Sequence, residues 1–146
     1  MNIYSAIAQG AKILKEKFIA NPILDSEILM SKVIKQDRKC VLLKSDHVLS
    51  KCELNYFQKL IKIRSNGKPI AHITNKKNFW KSEFFVTENT LIPRPDTELI
   101  IDNVLKLTKN KKRLNILDIG IGSGCILLSI LKERKYFYGT GIDISK

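Results

Sequence analysis

The first 66 residues carry hydrophobic side chains at helical spacing. One face is formed by positions that recur every three or four residues: Ile3, Ile7, Ala11, Leu14 and Phe18. Asn21-Pro22 predicts a second helix that runs to about Gln36, because proline favours the first helical position. A short apolar turn at residues 40–43 is a candidate third helix.

A fourth helix has the clearest start signal in this part of the chain. Ser50-Lys51-Cys52-Glu53 matches a capping box, in which the serine and glutamate side chains bind each other's free backbone N–H groups. Asn66-Gly67 ends the helix. We therefore predict a small N-terminal helical bundle over residues 1–67.

The pattern changes at residue 68. Residues 69–74 and 78–87 are rich in β-branched and aromatic side chains, and residues 75–77 lie between them. This arrangement predicts two strands of a β-hairpin, which would form a linker over residues 68–92.

Residues 93–146 show a third pattern. A helix is predicted over Thr97–Leu107, with Leu99, Ile100, Val104 and Leu107 on its apolar face, and a charged connector follows at Lys109–Arg113. Strand Leu114–Ile119, helix Cys125–Lys132 and strand Phe137–Ile142 then form a βαβ unit. Such a unit requires a parallel sheet, so the fold class is α plus α/β, with a sheet that two strands leave incomplete.

Composition adds few restrictions. The 146 residues are 44% hydrophobic and 27% charged, as in a globular protein, and no apolar run is long enough to span a membrane. Three scattered cysteines and two histidines do not predict a disulfide framework or a metal site, so we expect a cytoplasmic protein. The net charge of +12 comes mostly from lysine, which A/T-rich codons also favour; a solvated basic surface and a functional basic face both remain open.

Glycines follow the first predicted parallel strand in the pattern D-x-G-x-G-x-G. The third glycine of a dinucleotide fingerprint would fall at Cys125, so this pattern does not fit NAD. Asp143 ends the next strand, where an acidic side chain can hold ribose hydroxyls. We therefore predict a site for S-adenosyl-L-methionine that consists of Asp118, Gly120, Ile121, Gly122, Ser123, Gly124 and Asp143. A tight turn beside a solvated aspartate is the structural alternative.

Several longer motifs make the chain resemble the release-factor glutamine methyltransferase family. These are Asp25–Leu29, Arg64–Ile73, Phe79-Trp80, Phe84–Val86 and, above all, Leu91–Glu98. Three positions depart from the family pattern: His72 replaces a usual tyrosine, Asn75 a frequent glycine and Ile121 a usual threonine. The resemblance covers the whole chain.

The resemblance implies a class I, Rossmann-like methyltransferase that acts in translation termination. Its members transfer a methyl group from S-adenosyl-L-methionine to the glutamine amide in the Gly-Gly-Gln motif of bacterial-type class I release factors. Family members hold that amide with an Asn-Pro-Pro-Tyr motif, whereas the only Asn-Pro here is Asn21-Pro22. We therefore expect the chain to be an N-terminal portion that is inactive alone, with its catalytic residues beyond Lys146.

Two other functions remain open at this point. Adenine-specific nucleic-acid methyltransferases share the glycine pattern, although nucleic acid is not the substrate that the helical domain favours. A non-catalytic helical binding module is the third hypothesis. Pro93, Arg94, Thr97 and Glu98 form a candidate cofactor or substrate wall, or else a rigid linker whose Asp96 or Thr97 caps the next helix.

Overall fold

Apolar faces of several helices form the core of the first unit of the structure. The computed structural model describes residues 1–145, and its contacts divide the chain between Thr74 and Asn75. The helices of the first unit are α1 (Ile3–Glu16), α2 (Pro22–Ile34), α3 (Arg38–Leu43), α4 (Lys51–Ser65) and α5 (Ile70–Thr74). The predicted helical bundle is therefore confirmed.

The start of α4 has the hydrogen bonds that its sequence predicts. Glu53 N donates to Ser50 Oγ at 3.2 Å, and Ser50 N donates to the Glu53 carboxylate at 2.8 Å. Hydrogen bonds from Ser50 lower the pKa of Glu53. This capping box fixes where α4 begins, and Phe57, Leu60 and Ile61 then reach the core from one face.

The end of α1 corrects one predicted core position. Phe18 is 96% exposed and has a φ of 57°, so its side chain leaves the apolar face. Ile19 N donates to Leu14 O at 3.1 Å across this left-handed residue, which is a common way to end a helix. Ile19 consequently packs against the core in place of Phe18.

An ion pair joins α2 to α4 within the first unit. Arg64 Nε donates to Asp25 Oδ2 at 2.7 Å, and Arg64 Nη1 donates to Lys68 O at 3.0 Å. Both side chains are largely buried. A charge held away from water requires a partner of this kind, so the two residues depend on each other.

The predicted hairpin is wrong in both of its strands, because the turn at Trp80-Lys81 divides the predicted second strand, residues 78–87. Residues 70–74 form helix α5 and not a strand, with Pro69 O accepting hydrogen bonds from His72 N and Ile73 N, both at 3.1 Å. Ala71 and Ile73 are buried in this helix, so the β-branched content that predicted a strand did not decide the local structure. The actual hairpin pairs β1 (Lys76–Phe79) with β2 (Ser82–Phe85), and Trp80-Lys81 form its turn.

Asn75 closes the open end of this hairpin. Its φ is 59°, a left-handed conformation that asparagine tolerates better than most residues other than glycine. Its side-chain amide donates to Val86 O at 3.1 Å, and Val86 N donates to Asn75 O at 3.3 Å. This conformation explains why asparagine suits a position where glycine was expected.

The second unit completes the fold with a βαβ arrangement. A 3₁₀ turn at Pro95–Thr97 leads into α6 (Glu98–Leu107), and then follow β3 (Asn115–Ile119), α7 (Cys125–Glu133) and β4 (Tyr138–Ile142). β3 and β4 pair in parallel, from Asn115 opposite Tyr138 to Ile119 opposite Ile142. The predicted fold class is confirmed.

The core of the second unit lies between α6, α7 and the hairpin. Phe79 and Phe84 meet edge to face, with ring centroids 6.2 Å apart, beside Ile101, Ile130 and Phe137. The apolar face predicted for α6 is partly wrong: Ile101 is buried, while Leu99, Ile100 and Leu107 are exposed. Neighbouring elements, and not helical spacing alone, select the face that is buried.

The predicted three-part division stays a prediction. The structure groups residues 68–74 with the helices, and groups the hairpin with the parallel strands. Lys146, the last residue of the predicted third part, lies outside the described residues.

Gly10 provides a test of packing in the first unit. A Cβ at this position would lie 2.8 Å from Ile61 Cδ1, 3.0 Å from Phe57 Cζ and 3.1 Å from Ser26 Oγ. Overpacking costs about 1–3 kcal/mol, against about 1 kcal/mol that alanine gains over glycine in a helix. We expect Gly10→Ala to lower the stability of this unit by about 1 kcal/mol, measured by amide exchange at Leu14. Gln9→Ala, at an exposed position, is the control, and unchanged exchange in Gly10→Ala would contradict the packing argument.

Candidate functional site

The turn between β3 and α7 has a backbone that favours glycine at three positions. Gly120, Gly122 and Gly124 have φ values of 81°, 53° and 74°, in the left-handed region. A Cβ at Gly120 or Gly122 would meet no atom within 4 Å. Backbone conformation therefore favours these two glycines, and the absence of side chains leaves the outer surface of the turn open.

Hydrogen bonds attach the glycine turn to the end of β4. Gly120 N and Ile121 N both donate to Ile142 O, at 2.8 and 3.1 Å. Gly122 N donates to Asp143 Oδ2 at 2.8 Å. The structure thus brings the predicted glycines and the predicted acid together at one edge of the parallel pair.

Asp143 is an exposed carboxylate with two backbone donors. Its Oδ1 accepts a hydrogen bond from Ser145 N at 2.9 Å, in addition to the bond from Gly122. The N–H groups of Ser145 and Gly122 lower the pKa of Asp143, so the group is anionic near neutral pH. Each carboxylate oxygen can accept more than one hydrogen bond, so acceptor capacity remains for a ligand.

Three other residues of the predicted cofactor site, Asp118, Ile121 and Ser123, lie near this turn and differ in burial and contacts. The Ile121 side chain lies over Gly141, where an added Cβ would overlap it, so this side chain packs on the sheet. Asp118 is half-buried in β3 opposite Gly141. Ser123 is half-buried at the start of α7, near backbone N–H groups that a helix start leaves free. Their contact with a cofactor stays a prediction.

An open cavity lies beside the turn. Its volume is about 430 Å³, and its lining consists of Ile119, Gly120, Ile142, Asp143 and Ile144. Ligand pockets commonly have volumes of about 300–1,000 Å³, so the space suits part of a small molecule. Within residues 1–145, this lining comes from the carboxyl ends of β3 and β4 and the residues that follow them.

Residues 93–98 form the segment that leads into α6. Arg94 is extended (φ −94°, ψ 144°) and exposed, and its side chain makes no capping hydrogen bond to the 3₁₀ turn that follows. Pro93 is buried. The predicted side-chain cap is wrong, because Thr97 makes no capping hydrogen bond and the 3₁₀ turn starts the helix instead.

Glu98 has a partner that the sequence did not indicate. Its carboxylate accepts a hydrogen bond from Trp80 N at 2.7 Å, at the turn of the hairpin. Trp80 Nε1 and Lys81 Nζ in turn bind Glu133 Oε1, at 2.9 and 2.7 Å. No motif connects these positions, which are up to 53 residues apart. Glu98 thus has a structural role, and a role in a cofactor wall stays a prediction.

Comparison with known proteins relates the whole chain to one family. Residues 5–74 match the family model described as the PrmC N-terminal domain. The chain is 39% identical over 146 residues to a release factor glutamine methyltransferase of Leptospira interrogans, a match that covers 99% of this chain and 51% of that protein.

Other relatives with the same name match in the same way. The protein of Buchnera aphidicola subsp. Schizaphis graminum is 38% identical over 145 residues, which cover 99% of this chain and 52% of the relative. The Caulobacter vibrioides protein is 35% identical over 132 residues, which cover 90% and 46%. The chain spans about half the length of the curated relatives it matches. Within residues 1–145, no helix is both long enough and apolar enough to cross a membrane.

Asp143 provides a pH test of the glycine turn. Its ionised form binds Gly122 N–H, and its pKa lies below the ordinary 3.8. This stabilisation is therefore complete above the pKa of the unfolded chain and is lost as the pH falls through the lower, folded pKa. We expect the Gly122 amide signal in NMR spectra to titrate with a midpoint below 3.8.

The matched variants are Asp143→Asn and Asp102→Asn. The first should abolish this titration and speed exchange of the Gly122 amide, whereas the second changes an exposed carboxylate on α6 and should alter neither. A Gly122 signal that titrates unchanged in Asp143→Asn would contradict the hydrogen bond.

Proposed function

We propose that this chain serves methylation of a glutamine amide, because it matches release factor glutamine methyltransferases over 99% of its length and the PrmC N-terminal domain over residues 5–74. The proposed methyl donor is S-adenosyl-L-methionine, and the proposed substrate is the Gly-Gly-Gln motif of class I release factors. This reaction belongs to translation termination, so the proposed compartment is the cytoplasm. The observation that carries the proposal is the hydrogen bond between Gly122 N and the Asp143 carboxylate. The sequence match to these relatives, which extends along the whole chain, supports it.

The residues at the glycine turn fit the adenosyl part of this cofactor. A ribose presents two neighbouring hydroxyls, and the Asp143 carboxylate retains acceptor capacity for both. The open surface over Gly120 and Gly122 leaves room for close approach of the ligand to the backbone. The free N–H groups at the start of α7 suit the carboxylate of the methionine part, because a helix N-terminus attracts negative charge.

The bound cofactor would supply an electrophilic methyl group on a sulfonium. The part of this chain is to hold and orient that group, since an amide nitrogen is a weak nucleophile and alignment must contribute much of the rate. Asp143 and the glycine turn are the proposed binding residues, with Asp118, Ile121, Ser123 and Gly124 around them. The acceptors for the amide N–H groups, expected in an Asn-Pro-Pro-Tyr motif, are not among the 146 residues.

Residues 1–67 are the proposed substrate-recognition domain, followed by a linker over 68–92 and a methyltransferase part from 93. The match of residues 5–74 to the PrmC N-terminal domain favours a protein substrate over adenine in nucleic acid, because the glycine pattern alone would fit both classes. Both a methyltransferase and a non-catalytic helical binding module are compatible with this match. The cofactor-binding and methylation experiments below distinguish the two.

The 146-residue chain should bind S-adenosyl-L-methionine only weakly and should transfer no methyl group. One face of the β3–β4 pair carries Leu117, Ile119, Tyr138 and Ile142, which are 49–75% exposed within the described residues. A ligand that must itself order such a half-site loses binding energy. We expect calorimetry to give a dissociation constant well above the micromolar range, with amide protection stronger in residues 3–65 than in 114–143. Micromolar binding with protected strands would show a self-sufficient site and contradict this expectation.

Arg94 is the proposed cofactor or substrate residue outside the glycine turn. This role of Arg94 can be tested in a chimera. In the chimera, this chain replaces the N-terminal half of the Leptospira interrogans relative. We expect Arg94→Ala to reduce methylation of a release factor by more than about tenfold, which corresponds to about 1.4 kcal/mol of transition-state stabilisation. Arg113→Ala, another exposed arginine of the same unit, is the control. If both variants keep the methylation rate of the parent chimera, Arg94 belongs only to a rigid linker. If the parent chimera binds the cofactor but transfers no methyl group, the proposed function itself is wrong.

A further inference from the structure

A second cavity lies at the edge of the parallel pair where β3 and β4 begin. Its volume is about 550 Å³, and its lining consists of Lys111, Lys112, Arg113, Glu133, Arg134, Tyr136 and Phe137. Glu133 is the last residue of α7, and the others come from the loop before β3 and the loop before β4. Tyr138 N donates to Leu114 O at 2.8 Å, which holds the two loops side by side.

The charge around this cavity is strongly positive. Residues 106–113 contain five basic residues and no acidic residue, and Arg134-Lys135 add two more charges from the other loop. Glu133 is the one carboxylate in the lining. Its Oε1 already accepts hydrogen bonds from Trp80 Nε1 and Lys81 Nζ, so Lys81 offsets its charge. An anionic ligand would therefore meet a net positive surface.

Arg134 and Tyr136 give this surface features beyond charge. Arg134 Nη2 donates to Leu105 O at 2.8 Å, which anchors the guanidinium, and the buried Nε has no hydrogen-bond partner in the described part of the chain. Tyr136 is 70% exposed beside these cations. An exposed aromatic ring among basic side chains suits a nucleobase stacked on the ring and phosphates held by the cations.

We propose that this basic edge, residues 109–113 with 134–136, binds the phosphodiester backbone of single-stranded nucleic acid. The edge lies before the amino ends of β3 and β4, whereas Gly120 and Asp143 lie beyond their carboxyl ends, so the five-residue strands, each about 13 Å long, separate the two sites. The two sites therefore share the strands without sharing residues, and this proposal does not depend on the methyltransferase reaction. Acidic polypeptide is the competing ligand, but it offers no base to stack on Tyr136.

Fluorescence anisotropy of a labelled single-stranded RNA of about 12 nucleotides, titrated with the 146-residue chain, tests the proposal. The variant Lys111→Gln/Lys112→Gln/Arg113→Gln should bind at least about tenfold more weakly. Its slope of log affinity against log salt should fall by about 2, since each phosphate contact with a single strand contributes about 0.7. Circular dichroism of each variant checks that the fold is retained.

The matched control is Lys12→Gln/Lys15→Gln/Lys17→Gln, which removes three charges from exposed positions near α1. This control should change affinity by less than about twofold, because those lysines lie outside the proposed site. An equal loss in both variants would overturn the proposal, since binding would then follow net charge alone. The absence of RNA binding at low salt would overturn it as well.

Tyr136 distinguishes nucleic acid from an acidic polypeptide. Tyr136→Ala should weaken RNA binding by about fivefold or more, whereas Tyr136→Phe keeps a stacking ring and should bind as the parent does. Tyr4→Ala, at another exposed tyrosine, should have no effect. If polyglutamate of similar length competes as well as unlabelled RNA, or if Tyr136→Ala binds normally, the ligand is not selected as a nucleic acid and the proposal is wrong.

Discussion

Parallel pairing of β3 with β4 is the constraint on which the second unit depends. Two parallel neighbours cannot be joined by a tight turn, so the chain must cross over through α7. The crossover brings both carboxyl ends to one edge, where the glycine turn meets Asp143, and both amino ends to the other, where the basic loops meet. Small residues allow the helix to lie close: a Cβ at Gly139 would be 2.7 Å from Leu127 Cδ1.

The helical unit depends on a different kind of constraint. Its apolar faces would pack in several similar ways, since hydrophobic attraction has little directionality. The largely buried pair of Asp25 and Arg64 is directional, because either charge alone would be costly away from water. Together with the small volume of Gly10 between Phe57 and Ile61, it restricts how α2 and α4 approach α1.

Asp143 combines a structural role with a carboxylate that stays charged and exposed. Its carboxylate binds Gly122 N and Ser145 N, and so it fixes the turn that a ligand would contact. The same bonds lower its pKa and keep it charged. A site that is held in its binding geometry before a ligand arrives loses less free energy on binding. The glycine turn and Asp143 are held in place in that way by hydrogen bonds, beside an open cavity.

Local signals in the sequence were sufficient for most elements and for the position of the glycine turn. The capping box at Ser50, the proline at the start of α2 and the glycines after β3 act through the backbone of a few residues, so they can be read without tertiary structure. What the sequence did not determine involves residues far apart. The helix at 70–74, the exposure of Phe18 and the partner of Glu98 each depend on which neighbour packs against or binds the segment. Long-range packing decides these features, because an apolar or charged side chain has no preferred partner until the chain has folded.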